Sequence, residues 1–235
     1  MNYYFIRQPS DKKIVGINDG SVQAEIVESK WKNKKELKRY TEQYILGILD
    51  SLNRMEKGEV IQPPVLEHIK VRPGAILTDF LSFSEAYAGG GYLISEKVRK
   101  VLEAHHINCR FYNEIGLFHK DKKIEGYSNL HLLPLKYRDA FSFEHSVFFT
   151  GLKLAGKTLQ YAKNFDEFTT LQEEGKMLKY EVLALNGAII GNLDMFTFDM
   201  HPRIYVSERL KEALETAVVT GIRYHEPDEP TLNII

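Results

Sequence analysis

The sequence predicts an α+β fold: two strand–helix–strand units with intervening antiparallel strands, preceded by an N-terminal strand and long-helix extension. Three observations lead there. A strand–helix–strand pattern occurs twice, at residues 92–114 and 204–226. The stretches between the copies alternate or run apolar over strand lengths, with turn residues separating them. An apolar stripe at helical spacing runs through residues 34–57.

Taken in order, YYFI (residues 3–6) and IVGI (14–17) read as short strands joined by the polar turn PSDKK. VQAEIV (22–27) reads as a third strand. The long helix is expected over 34–57, because Leu37, Tyr40, Tyr44, Ile48, Leu52 and Met55 step by three or four and share one face. Such a stripe suits a helix that covers a sheet, and Gly58 is its stop. Pro63-Pro64 cannot continue a helix and mark a loop. VLEHIKV follows as a strand, RPG as a turn and AILTDFLSF as another strand or strand-like segment. The Gly-rich AYAGGGY places a lobe boundary near residue 85, dividing an N-terminal lobe (1–84) from residues 85–235.

The first copy reads YLISEKVRKVLEAHHINCRFYNE and the second IYVSERLKEALETAVVTGIRYHE. Aligning Ser95 with Ser207 pairs Glu96 with Glu208, Leu102 with Leu214, Glu103 with Glu215, Tyr112 with Tyr224 and Glu114 with Glu226. In each copy the Ser is an N-cap that accepts a hydrogen bond from a free helix N–H. The Glu beside it suits the positive end of the helix dipole. Val98, Val101 and Leu102, like Leu210, Ala213 and Leu214, form a buried face. Capping therefore explains the Ser-Glu pairs, and no spacing fixes a base beside either Ser to make it a nucleophile. Between the copies, LFHKDKKIEGYSNLHLLPL reads as a hairpin turning at KDKK, and FEHSVFFTGLKLAG as one strand or a bent pair. FDEFTTLQEEGKM reads as a short helix, YEVLALNGAII as a strand, and PDEPTLNII (227–235) as an extended tail.

Composition narrows the function. The 235 residues carry 31 Lys and Arg against 32 Asp and Glu, a net charge of -1 that argues against a generic polyanion binder. A hydrophobic share of 43% with 27% charged residues excludes wholesale disorder. The single Cys109 excludes an internal disulfide and a Cys-rich zinc module. No secretory signal is visible, and the apolar runs fall far short of the ~20 residues that span a bilayer. The expectation is a cytoplasmic protein with neither a membrane nor a nucleic acid as partner.

One formal motif stands out. Residues 151–158 match G-x-x-x-x-G-K-[ST], the phosphate-binding loop, with Gly151, Gly156, Lys157 and Thr158 at the defining positions. There, backbone N–H groups would cradle phosphates, Lys157 would reach the outer phosphates and Thr158 would hold Mg²⁺. The Leu-Lys-Leu interior alternates as a strand does, and no apolar strand ending in Asp follows to hold the metal, so a hairpin turning at AGK is the expected structure. Gly89-Gly90-Gly91 precedes a strand and lacks the dinucleotide pattern. His105 and His106 point about 100° apart on a helix, and no second ligand pair accompanies them. No catalytic residue, metal ligand or cofactor is assigned from the sequence.

The element [YF]-[LIYV]-[IV]-S-E-[KR]-[LV]-[KR]-x-x-L followed by CRFY or GIRY, carried by residues 91–112 and 203–224, resembles small bacterial immunity proteins. These are the antidotes of polymorphic toxin systems. YSNLHLLPL…FSFEHSVFF (127–149) is similar to the middle of such proteins, above all the immunity protein 43 group and its relatives with a myxobacterial prototype. The resemblance covers roughly residues 70–235 and leaves 1–69 without a role. It implies a non-enzymatic α+β protein that binds and neutralises a cognate toxin protein by blocking its active site or conformation. An acidic patch would complement a basic toxin site. Two clusters are candidates: Glu226, Asp228 and Glu229, and Glu167, Glu173 and Glu174. The alternatives are a nucleotide-binding enzyme using residues 151–158 and a non-catalytic peptide-binding scaffold, and exposed edge strands leave a homo-oligomer open.

Overall fold

The computed structural model describes residues 2–18, 22–40, 42, 65–83, 92–107, 110–132, 134–152, 156–174, 178–199, 203–225 and 231–235. The chain opens with β1 (Tyr3–Arg7), α1 (Lys12–Val15), β2 (Ala24–Ile26) and α2 (Lys34–Tyr40). β3 (Leu66–Val71), β4 (Phe80–Ser82), β5 (Tyr92–Ser95), α3 (Glu96–Glu103) and β6 (Arg110–His119) follow. Next come β7 (Lys122–Ile124), β8 (Tyr127–Leu132), α4 (Tyr137–Ala140), β9 (Val147–Leu152) and β10 (Gly156–Gln160). The remainder is α5 (Phe165–Glu173), β11 (Lys179–Leu185), α6 (Gly187–Ile190), β12 (Met195–Phe196), β13 (Ile204–Ser207), α7 (Glu208–Thr216), β14 (Arg223–His225) and β15 (Thr231–Ile234). The fold is α+β with several sheets, as the patterning predicts.

Both predicted strand–helix–strand units are present, as β5–α3–β6 and β13–α7–β14. Neither unit pairs its own two strands. β8 lies between β5 and β6, antiparallel to both, and β1 lies likewise between β13 and β14. The order β4-β5-β8-β6 in one sheet therefore repeats as β12-β13-β1-β14 in another. The repeat holds residue by residue: Tyr112 stands opposite Leu130, and its counterpart Tyr224 stands opposite Ile6. The N-terminal strand thus completes the second unit, filling the slot that β8 fills in the first. The boundary expected near residue 85 consequently separates no sheet, since β1 joins β13 and β14, β3 joins β6, and β4 joins β5.

The two units share one apolar core. It unites equivalent side chains from both: Phe80 with Met195, Ile94 with Val206, Val98 with Leu210, Leu102 with Leu214 and Leu130 with Ile6, all buried. α3 and α7 pack against each other over it. Truncating Leu102 or Leu214 to Ala would cost about 2–5 kcal/mol, the usual loss for a fully buried leucine. The opposite face of β1–β13 builds a second core with β9, β11 and α5, rich in rings such as Phe141, Phe148, Phe168, Phe196 and Tyr205. The larger sheet runs β2-β3-β6-β8-β5-β4, and a bridge from Ala24 to Phe83 brings its edges together around a third core that includes Trp31, Ile69 and Leu117.

Three local expectations differ from the structure. Residues 12–15 form a helical turn, because the Asp11 side chain accepts the Lys13 N–H and Gly16 ends the turn at φ 79°. A Cβ at Gly16 would stand 2.1 Å from the Gly74 carbonyl oxygen, so glycine is required there. Gly187–Ile190 likewise coils into α6 beneath an Asn186 cap, where a strand was expected. In AILTDFLSF only Phe80–Ser82 is strand. The expected long helix is seen as Lys34–Tyr40, and its continuation lies outside the described residues apart from Glu42.

Candidate functional site

The densest polar chemistry lies where the two units meet, and it is duplicated. The Ser95 hydroxyl accepts the Val98 N–H as the α3 cap and donates to Asp79 Oδ1 at 2.8 Å. The Ser207 hydroxyl accepts the Leu210 N–H and donates to Asp194 Oδ1 at 2.6 Å. A cation in the first turn of each helix completes the set: Lys97 Nζ lies 2.8 Å from Asp79, and the Arg209 guanidinium grips Asp194 with bonds of 3.0 and 2.7 Å. The repeat reaches further. Tyr127 donates to the carbonyl of Thr78, just before Asp79, and the equivalent Tyr3 lies 2.9 Å from the carbonyl of Leu193, just before Asp194.

Burial alone would raise the Asp194 carboxyl, but donors from Arg209, Ser207 and the His106 N–H outweigh it and hold the group below the usual carboxylate range. The same balance at Asp79, with donors from Lys97, Thr220 and Ser95, also lowers it. A carboxylate held this way is a weak base, and each Ser hydroxyl is already engaged as donor and acceptor. The pairs brace the fold, in keeping with the capping role expected of Ser95 and Ser207. The bracing roles of Asp79 and Asp194 escaped the sequence reading, which finds no motif that sets Asp194 against another carboxylate. The available signal was Asp-Phe-Leu-Ser-Phe at 79–83 against Asp-Met-Phe-Thr-Phe at 194–198, an upstream extension of the duplication.

The sequence-predicted sites fall elsewhere. Gly151 lies on β9, while Gly156, Lys157 and Thr158 lie on β10, paired antiparallel with Lys157 opposite Gly151 and Thr158 opposite Thr150. A phosphate loop needs a helix beginning after Gly156, where β10 runs instead, and Lys157 is ion-paired with Glu181. Glu226, Asp228 and Glu229 lie outside the described residues. The other acidic cluster lies on α5 but divides by role. Glu167 ties down the start of α5: its carboxylate accepts the N–H of Lys163, the residue before the cap, at 2.9 Å, while the Asn164 cap accepts the Glu167 N–H. Glu173 and Glu174 are exposed at the far end of α5, the negative end of its dipole.

A cavity of about 230 Å³ opens between α3 and the β6–β8 pair, lined by residues including Glu96, Arg99, Tyr112 and Glu114. The Arg99 guanidinium lies 4.8 Å over the Tyr112 ring and bonds Glu103. Among the described residues no three His, Cys, Asp or Glu side chains gather as metal ligands, and no helix is long and apolar enough to cross a membrane. No protein-family model matches the chain, and no curated protein matches it.

Proposed function

We propose that this chain is a cytoplasmic immunity protein that binds a cognate bacterial toxin and neutralises it by covering its active site or locking its conformation. The observation that carries this reading is the duplicated S-E-[KR] element, whose two copies form equivalent halves of one core. This is the segment that resembles immunity proteins, and its polar chemistry is engaged in bracing the units. Rigid units of this kind offer a preorganised surface, which reduces the entropy lost on binding. The exposed Glu173 supports a basic partner surface, since an acidic group at a helix C-terminus opposes the dipole and gains from an external cation.

The test is co-expression with a toxic protein encoded beside this gene, followed by co-purification at high salt. Protection of the host and a stable 1:1 complex support the reading. Unrelieved toxicity with no complex would overturn it, and capture of a non-toxic peptide instead would favour a scaffold. Charge reversal by Glu173→Lys and Glu174→Lys should weaken the complex. Unchanged affinity would move the contact surface off α5.

A further inference from the structure

The two units differ at one place beside their shared core, and the difference leaves room for a ligand. Ser128 on β8 stands opposite Ile94, and Tyr4 on β1 stands opposite Val206, the equivalent residue. Ser128 and Tyr4 therefore hold the same position in the two units. The backbone around them also matches: the Gly126 carbonyl accepts the Glu96 N–H, and the Asn2 carbonyl accepts the Glu208 N–H. In the second unit the Tyr4 ring packs against the shared core. Lys211 Nζ lies 4.3 Å from the centre of that ring and 5.9 Å from the centre of Tyr224, and the Tyr4 hydroxyl reaches Glu208 Oε1 at 3.4 Å. In the first unit the short Ser128 side chain leaves the cavity of about 230 Å³, lined by Ser128 with Glu96, Arg99 and Tyr112. Those three are the counterparts of Glu208, Lys211 and Tyr224.

The first unit thus keeps the walls that hold a phenol ring in the second, with a serine where the ring is attached. A cavity of about 150 Å³ is enough for benzene, so this one admits a phenol. We propose that the cavity beside Ser128 binds a small monocyclic phenol as a free molecule. The ring takes the place that Tyr4 takes in the second unit, and its hydroxyl donates to Glu96 at the exposed rim. The Lys100 ion pair at 2.8 Å uses one Glu96 oxygen, and a carboxylate accepts several bonds. Arg99 bonds Glu103 through Nε and lies over Tyr112, and its charge attracts a second ring as that of Lys211 does. A tyrosine of another protein would have to enter reversed, with its backbone at the rim and its hydroxyl toward Ser128. The geometry therefore favours a free phenol over a tyrosine side chain. The site is independent of the immunity reading.

Titration of p-cresol into the full chain, followed by NMR, tests it, with toluene and N-acetyltyrosinamide as comparisons. p-Cresol should bind 1:1 and more tightly than toluene, which lacks the hydroxyl. It should also bind more tightly than N-acetyltyrosinamide, whose backbone has no place beside Ser128. Ser128→Tyr rebuilds the arrangement of the second unit and should abolish binding. Arg99→Gln, on the exposed side of α3, should leave the fold intact and weaken p-cresol about two- to fivefold, the scale of one exposed cation–π contact. Lys211→Gln makes the equivalent change in the second unit and should leave the affinity unaltered. Absence of 1:1 binding, equal affinity for toluene, equal or tighter binding of N-acetyltyrosinamide, or undiminished affinity in folded Ser128→Tyr or in Arg99→Gln would each overturn the proposal.

Discussion

The carboxylate of Asp79 accepts the backbone N–H of Thr220 at 3.0 Å across 141 residues of chain. Asp194 does the same for His106 at 2.9 Å across 88 residues. Thr220 follows α7 and His106 follows α3, so each aspartate holds the chain leaving the other unit's helix. The units are therefore latched reciprocally, by polar groups at the margin of the core they share.

Removal of one latch should destabilise the whole fold, and the two should differ in cost. The Asp194 side chain is fully buried, whereas that of Asp79 is 15% exposed. Asp194→Ala strands the Ser207 hydroxyl and the His106 N–H, an expected loss of about 2–4 kcal/mol. Asp79→Ala should cost less, because water can reach the groups it leaves. Urea denaturation of both variants checks the order, and an equal or reversed order would deny the latch its role.

Acid should weaken the protein in two stages. Burial pushes His131 down from 6.5 to about 4. Its folded form resists a proton that the unfolded chain accepts, so its contribution is complete above pH 6.5 and is lost as the pH falls toward 4. The size is on the order of 3 kcal/mol. Asp79 and Asp194 sit below their ordinary value of 3.8, so their stabilisation is present above that value and disappears as the pH falls through the folded values. Denaturation midpoints should hold between pH 8 and 7, decline from 6.5 to 4, and drop again below. His131→Gln should flatten the first decline and leave the second.

The repeated helices were legible because Ser, Glu and the apolar stripe act within a few residues of each other. Ser95 and Ser207 cap where local chemistry places them. The latches were not legible, because Asp79 and Asp194 act across 141 and 88 residues and nothing local marks their partners. The same holds for β1: its pairing with β13 and β14 is set at the far end of the chain, so the N-terminal strand read as an extension. Residues 14–17 were misread for a different reason. Ile14, Val15 and Ile17 favour a strand by composition, but the Asp11 cap and the close approach of Gly16 to Gly74 select a turn.

The β9–β10 hairpin makes a prediction opposite to that of a phosphate loop. Lys157 pairs with Glu181, each about one-third exposed, and surface pairs contribute under about 1 kcal/mol. Lys157→Ala should therefore shift stability only slightly. It should leave the affinity for any nucleotide unaltered, and a nucleotide affinity that collapses in this variant would restore the enzyme reading.

Two glycines with similar backbones should respond differently to substitution. Gly221 has φ 90° and Gly156 has φ 101°, so alanine is strained at either position. At Gly156 an added Cβ meets nothing within 4 Å, and the strain alone should cost about 1–2 kcal/mol. At Gly221 it would stand 2.1 Å from the Phe80 carbonyl oxygen and 2.6 Å from Thr78 Oγ1. That backbone belongs to the first unit, beside the Asp79–Thr220 latch, so the units would have to separate to admit the methyl group. Gly221→Ala should lower the melting temperature by several times the Gly156→Ala shift or yield insoluble protein. Equal shifts would mean that the close approach of the two units at this point is not needed for folding.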